Sequence, residues 1–127
     1  MVNSNNTDKF EHSITELKAA IQYRKKAISE HIFYAGISKC FEVCLEYAWK
    51  YLKRELDQHG LEAYSPKEIV KTAGRAGLID EVEEWITFIN IRNSAVHDYL
   101  GITPTEYMDL IERFIPQVTK LIKNAGR

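Results

Sequence analysis

Apolar residues recur at helical spacing through most of this chain, and alternating apolar–polar runs of strand type are missing. Phe10, Ile14, Leu17, Ile21 and Ile28 form one stripe, with Asp8 and Glu11 spaced as an N-cap and its partner three positions on. A second helix carries Phe33, Ile37, Phe41, Cys44, Leu45, Ala48 and Leu52 on one side and Val43, Tyr47 and Tyr51 on another. A helix apolar on two sides is central in its bundle or shared with a partner. His59-Gly60 closes it. Ser65-Pro66-Lys67-Glu68 opens the third helix: Ser65 can cap, Pro66 suits the first position and Glu68 can reach back. Ile69, Val70 and Ala73 come next, and Gly74 and Gly77 stop it. Asp80 and Glu83 open the fourth, whose apolar positions are Val82, Trp85, Ile86, Ile89 and Val96. Thr103-Pro104-Thr105-Glu106 repeats the cap ahead of Tyr107, Leu110, Ile111, Phe114, Val118, Leu121 and Ile122, with Pro116 expected to bend that last helix. The pattern predicts an all-α, antiparallel bundle of four to five helices, one domain over 1–127 with 1–7 as a flexible N-terminus.

Charge and cysteine usage narrow the partners. Lys plus Arg is 17 and Asp plus Glu is 18, spread evenly over both halves, so the formal net charge is −1. Proteins that hold duplex DNA through their overall field are usually basic, which argues against that class and leaves room only for a small recessed nucleic-acid site. Cys40 and Cys44 stand four apart on a helical stripe, where a disulfide does not fit and a small hydrophobe does. Residues 1–8 are polar and the chain has no long apolar run, so a reduced, cytoplasmic chain with no membrane span is expected.

Most catalytic signatures are missing: there is no Gly-rich phosphate loop, His-Glu-x-x-His, Cys-x-x-Cys or Asp-x-Asp. His12, His31 and His59 have no companions at ligand spacing and read as surface or helix-end residues, so neither metal nor cofactor is expected. One segment differs. Ile91-Arg92-Asn93-Ser94-Ala95-Val96-His97-Asp98-Tyr99 interrupts an apolar helix with polar side chains. In a continuing helix Asn93 and His97 share one strip and Arg92 and Tyr99 a neighbouring one. Such groups suit phosphodiester chemistry. A histidine can move a proton from a ribose 2′-hydroxyl or onto a leaving oxygen, an arginine can grip the phosphate, and an asparagine can orient either. The same residues could instead only offset the dipole at a helix C-terminus.

The order Arg92-x4-His97-x-Tyr99, with Asn93 after the arginine, resembles the signature of the HEPN superfamily. It is closest to the small HEPN proteins paired with minimal nucleotidyltransferases, known as substrate-binding subunits and as HepT-type toxins. Phe41-Glu42 followed by Tyr47-Ala48-Trp49-Lys50-Tyr51-Leu52 resembles the family's central helix. Ser65-Pro66-Lys67-Glu68-Ile69, Gly77-Leu78-Ile79-Asp80 and Trp85 extend the likeness over roughly 33–123. Val96 stands where many substrate-binding relatives carry a small hydroxyl residue. The resemblance implies a homodimer with two such segments facing one cleft, and metal-independent endoribonuclease activity on RNA. Arg92 would stabilise the phosphate, His97 would be the acid/base and Asn93 would support them. Tyr99 would be the position at which a partner nucleotidyltransferase, encoded nearby, adds AMP.

Two further classes stay open: a non-catalytic binding subunit that presents a substrate to the nucleotidyltransferase, and a helical scaffold with no nucleotide link. The stripe of Val43, Tyr47 and Tyr51 suits either a dimer interface or packing beneath the helix at 66–74.

Overall fold

The computed structural model describes residues 2–93 and 101–125, and every regular element among them is helical. Helix α1 spans Val2–Ala20, a 3₁₀ turn at Ile21–Tyr23 leads into the short α2 (Arg24–Ser29), and α3 (His31–Gln58) is the long central helix. Helices α4 (Pro66–Arg75), α5 (Val82–Asn93) and α6 (Pro104–Ala125) complete a bundle in which α3 touches every other helix.

Helix α1 starts at Val2, so Asp8 and Glu11 lie inside it and do not cap it. The first stripe also changes course. A 3₁₀ turn advances about 120° per residue against about 100° in an α-helix, which rotates helix α2 by roughly 60° relative to α1. Ala27 is therefore buried at 4% exposure, while Ile28 stands out at 45%. Arg24 fastens this short segment to α6, donating to Asp109 at 2.7 Å and to Glu112. The Asp109 hydrogen bond outweighs the cost of burial and holds the guanidinium's pKa above its ordinary value.

The other two predicted capping boxes are present. Glu68 N–H donates to Ser65 Oγ at 3.2 Å and Glu106 N–H to Thr103 Oγ1 at 3.1 Å, with each glutamate reaching back to its cap residue's N–H. Gly77, with φ at +79°, ends α4: Leu78 N–H donates to the Ala73 carbonyl and Gly77 N–H to that of Gly74. Gly74 has another role. It lies within α4, and a Cβ there would come 2.2 Å from Val82 Cγ2 at the start of α5. Gly74→Ala should gain about 1 kcal/mol of helix propensity but cost about 1–3 kcal/mol in overpacking against a stiff valine. A net fall of several degrees in Tm is expected by thermal unfolding.

Helix α6 runs through Pro116 without interruption. At the centre of the core, the Phe114 ring meets Phe41 and Phe88 edge-on, each at 5.2 Å between centroids, and Trp85 at 5.8 Å. All four are buried to 1% exposure or less. Tyr107 joins them, and its hydroxyl lies 2.7 Å from Ser38 Oγ, the Ser38 hydroxyl in turn donating to Glu42 at 3.4 Å. Burial pushes the Tyr107 phenol well above its ordinary pKa, so it stays a neutral hydrogen-bonding group. No helix among the described residues is long and apolar enough to cross a membrane.

Candidate functional site

Helix α5 begins as a core helix. Trp85, Phe88 and Ile89 are all buried, and the next position on the same side, seven residues past Trp85, is Arg92. An arginine in that register is carried towards the bundle interior. Its head reaches α3, where Nη2 donates to Glu46 Oε2 at 2.8 Å. The other carboxylate oxygen of Glu46 accepts from Lys50 Nζ at 3.3 Å, one turn along α3. Burial opposes ionisation of Glu46, but Lys50 and Arg92 together outweigh it and hold the carboxyl below its ordinary range.

These side chains edge a cleft of about 220 Å³ between α3 and the end of α5. Its walls include Lys39, Glu42, Glu46, Tyr47 and Lys50 from α3, and Arg92. Among the described residues, three cations and two carboxylates line it.

Stability does not account for this arrangement. The Arg92 and Glu46 side chains are 35% and 40% exposed, and an ion pair that open to water contributes at most about 1 kcal/mol. Arg92 Nε is buried with no acceptor among the described residues, and an orphaned donor costs about 1–3 kcal/mol. The two roughly cancel, or the balance is unfavourable. A guanidinium at a cleft edge, 35% exposed and held by Glu46 through Nη2, is chemically suited to an incoming anion.

Of the segment singled out in the sequence, Arg92 is in the cleft wall and Asn93 is the last residue of α5. His97 and Tyr99 lie outside the described residues, as does the predicted continuation of that helix through Val96. Glu46 was not visible in the sequence as a site residue. It belongs to a run of Glu42, Glu46 and Lys50 at four-residue spacing, which reads as an ordinary solvated helix face. Nothing local marks the member that meets Arg92.

The remaining histidines and cysteines fall where expected. His12 pairs with Glu16 at 3.2 Å on the surface, His31 begins α3 stacked on Tyr34, and His59 Nδ1 meets the Glu55 carbonyl at the helix end. Cys44 is fully buried, and burial pushes its thiol up to about 12, which keeps it protonated and inert at neutral pH. Among the described residues no group of three or more His, Cys, Asp or Glu side chains could hold a metal ion. The second stripe of α3 faces α1: Tyr51 closes on Phe10 at 5.7 Å, and Val43 and Tyr47 line an apolar groove with Ser13 and Cys40.

Comparison with known proteins agrees with this architecture. Residues 5–126 match the family described as nucleotidyltransferase substrate binding protein like. Over 78 residues the chain is 32% identical to "Probable ribonuclease HepT" of Haemophilus influenzae, a match covering 58% of this chain and 53% of that protein. The matched stretch thus spans about half the length of the relative. With a helical bundle, a capped fourth helix and an arginine turned into a cleft, the chain belongs to the nucleotidyltransferase substrate-binding-protein-like family, of the HepT-like HEPN type.

Proposed function

We propose that this chain is a metal-independent endoribonuclease, the toxin of a pair with a minimal nucleotidyltransferase, acting in the cytoplasm as a homodimer. The observation that carries this reading is the Arg92 guanidinium, set at the edge of a cleft and held there by Glu46 through one nitrogen. The relative's name supports RNA as substrate, and the family's description supports the nucleotidyltransferase as partner.

In this mechanism the phosphodiester lies against Arg92, which stabilises charge as it builds on the phosphate oxygens. The ribose 2′-oxygen attacks phosphorus while its proton is removed, and the bond to the 5′-oxygen breaks as that oxygen takes up a proton. His97 acts as acid/base in these transfers and Asn93 supports it. AMP joined to Tyr99 would bring a negative phosphate next to Arg92 and repel RNA, which silences the site. The homodimer reading draws on α3, where Ile32 at 76% exposure and Val43 at 38% lie on one stripe.

The family description also favours a second reading, a non-catalytic subunit that presents a substrate to the nucleotidyltransferase. One assay separates the two. Purified chain incubated with single-stranded RNA in excess EDTA is expected to leave 2′,3′-cyclic phosphate ends. Intact RNA in the presence of a chain that still binds its nucleotidyltransferase would support the adaptor.

A further inference from the structure

The proposed mechanism uses Arg92 but leaves open how a flexible side chain is held ready for a phosphate. We infer that Glu46 is the positioning residue of the site: it fixes the Arg92 guanidinium in the cleft and is itself steadied by Lys50. The inference deepens the ribonuclease reading and rests on it for its catalytic consequence.

Three observations carry it. First, the carboxylate of Glu46 is shared, with Oε2 on Arg92 and Oε1 on Lys50, so its orientation is set from both sides. A carboxylate with one partner could swing; this one stands between a residue of its own helix and one on α5. Second, the contact to Arg92 is single, through Nη2, while Nε stays buried with no acceptor among the described residues. A pair optimised for its own sake would engage both donors of that edge in a fork. The geometry instead aims the guanidinium through one nitrogen, and the exposed part of the side chain, 35% of it, is left to meet a phosphate. Third, the contact joins α3 to the last described turn of α5, so it ties the guanidinium to a second helix at a position five residues before His97 in the sequence.

Glu46 does not touch the substrate in this scheme; it acts through Arg92. Removing it leaves the cation in place but free to rotate, so substrate affinity should change little while the chemical step slows. Misplacement of a group by about 1 Å can cost about a hundredfold in rate.

The test compares wild type, Glu46→Ala and Glu46→Gln. The first readout is cleavage of a mixed-sequence single-stranded RNA oligonucleotide, with kcat and KM measured separately. Glu46→Ala is expected to lose about tenfold to a hundredfold in kcat with KM moving less than about threefold. Glu46→Gln, which keeps an acceptor oxygen, is expected to recover most of that loss. The second readout needs no catalysis: in ¹⁵N NMR the Arg92 guanidinium should rotate slowly in wild type and Glu46→Gln, and freely in Glu46→Ala. Unchanged kcat in a folded Glu46→Ala, or Arg92 rotation that does not respond to it, overturns the inference. A wild type that cleaves no RNA overturns the ribonuclease reading instead, and the NMR comparison still decides whether Glu46 positions Arg92.

Discussion

Replacing His97 with alanine is expected to lower RNA cleavage by about 10²–10⁴-fold, the range over which a positioned acid/base contributes. The melting temperature should hardly move. On the proposed mechanism the 2′-oxygen is a poor nucleophile until its proton leaves, and the 5′-oxygen a poor leaving group until one arrives. Water can exchange both protons, only more slowly, so a residual rate due to Arg92 and binding should persist. That residue of activity is informative. Arg92→Ala in the same assay removes charge stabilisation worth about 10²–10³-fold, and the double variant should fall short of the product of the two losses, because the groups act on one transition state. Growth of cells expressing wild type and His97→Ala gives the matching readout in vivo: wild type should arrest growth and the variant should not. Equal growth in both would return the weight to the adaptor.

The largest effect on stability is expected at Phe114. Its ring is fully buried and touches Phe41, Trp85 and Phe88, which come from α3 and α5. Phe114→Ala opens a hole at the junction of three helices whose neighbours are rings with few alternative rotamers. Collapse around the hole should therefore be incomplete. The loss is set at about 3–5 kcal/mol, the usual range for a buried phenylalanine. For a domain of 127 residues this lowers Tm by roughly 10–20 °C. Phe114→Leu fills most of the volume and should cost distinctly less. Equal melting temperatures for Phe114→Ala and wild type would mean that the aromatic cluster is not the keystone of the bundle.

How legible this was in the sequence depends on the range of the interaction. The helices were legible because each carries its own periodicity and its own caps: Ser65 with Glu68 and Thr103 with Glu106 stand within one turn of each other. The glycine after α4 was legible for the same reason. Contacts made only by the assembled bundle were not. Phe88 is buried as fully as Trp85, yet it stands in a nearly continuous apolar run with Ile86, Ile89 and Ile91, where helical register alone does not single it out. The overwinding at Ile21–Tyr23 has no proline or glycine to announce it, so Ala27 rather than Ile28 turns inwards. Gly74 reads as a helix stop until Val82 is seen against it. In the site, the unusual order of Arg92, Asn93, His97 and Tyr99 drew notice by chemistry alone, whereas Glu46 is separated from Arg92 by the rest of α3, all of α4 and most of α5. Its part emerges only when α3 and α5 cross.

The register of Arg92 has one more consequence. The guanidinium is the outermost member of the file that holds Trp85, Phe88 and Ile89, so its height and azimuth are inherited from side chains that never meet solvent. On the proposed mechanism, reaction geometry can thus be tuned from within: a methylene gained or lost in that file would tilt the cation without touching anything a ligand contacts. Sequence drift in the interior of such a bundle would then be constrained by turnover as well as by folding.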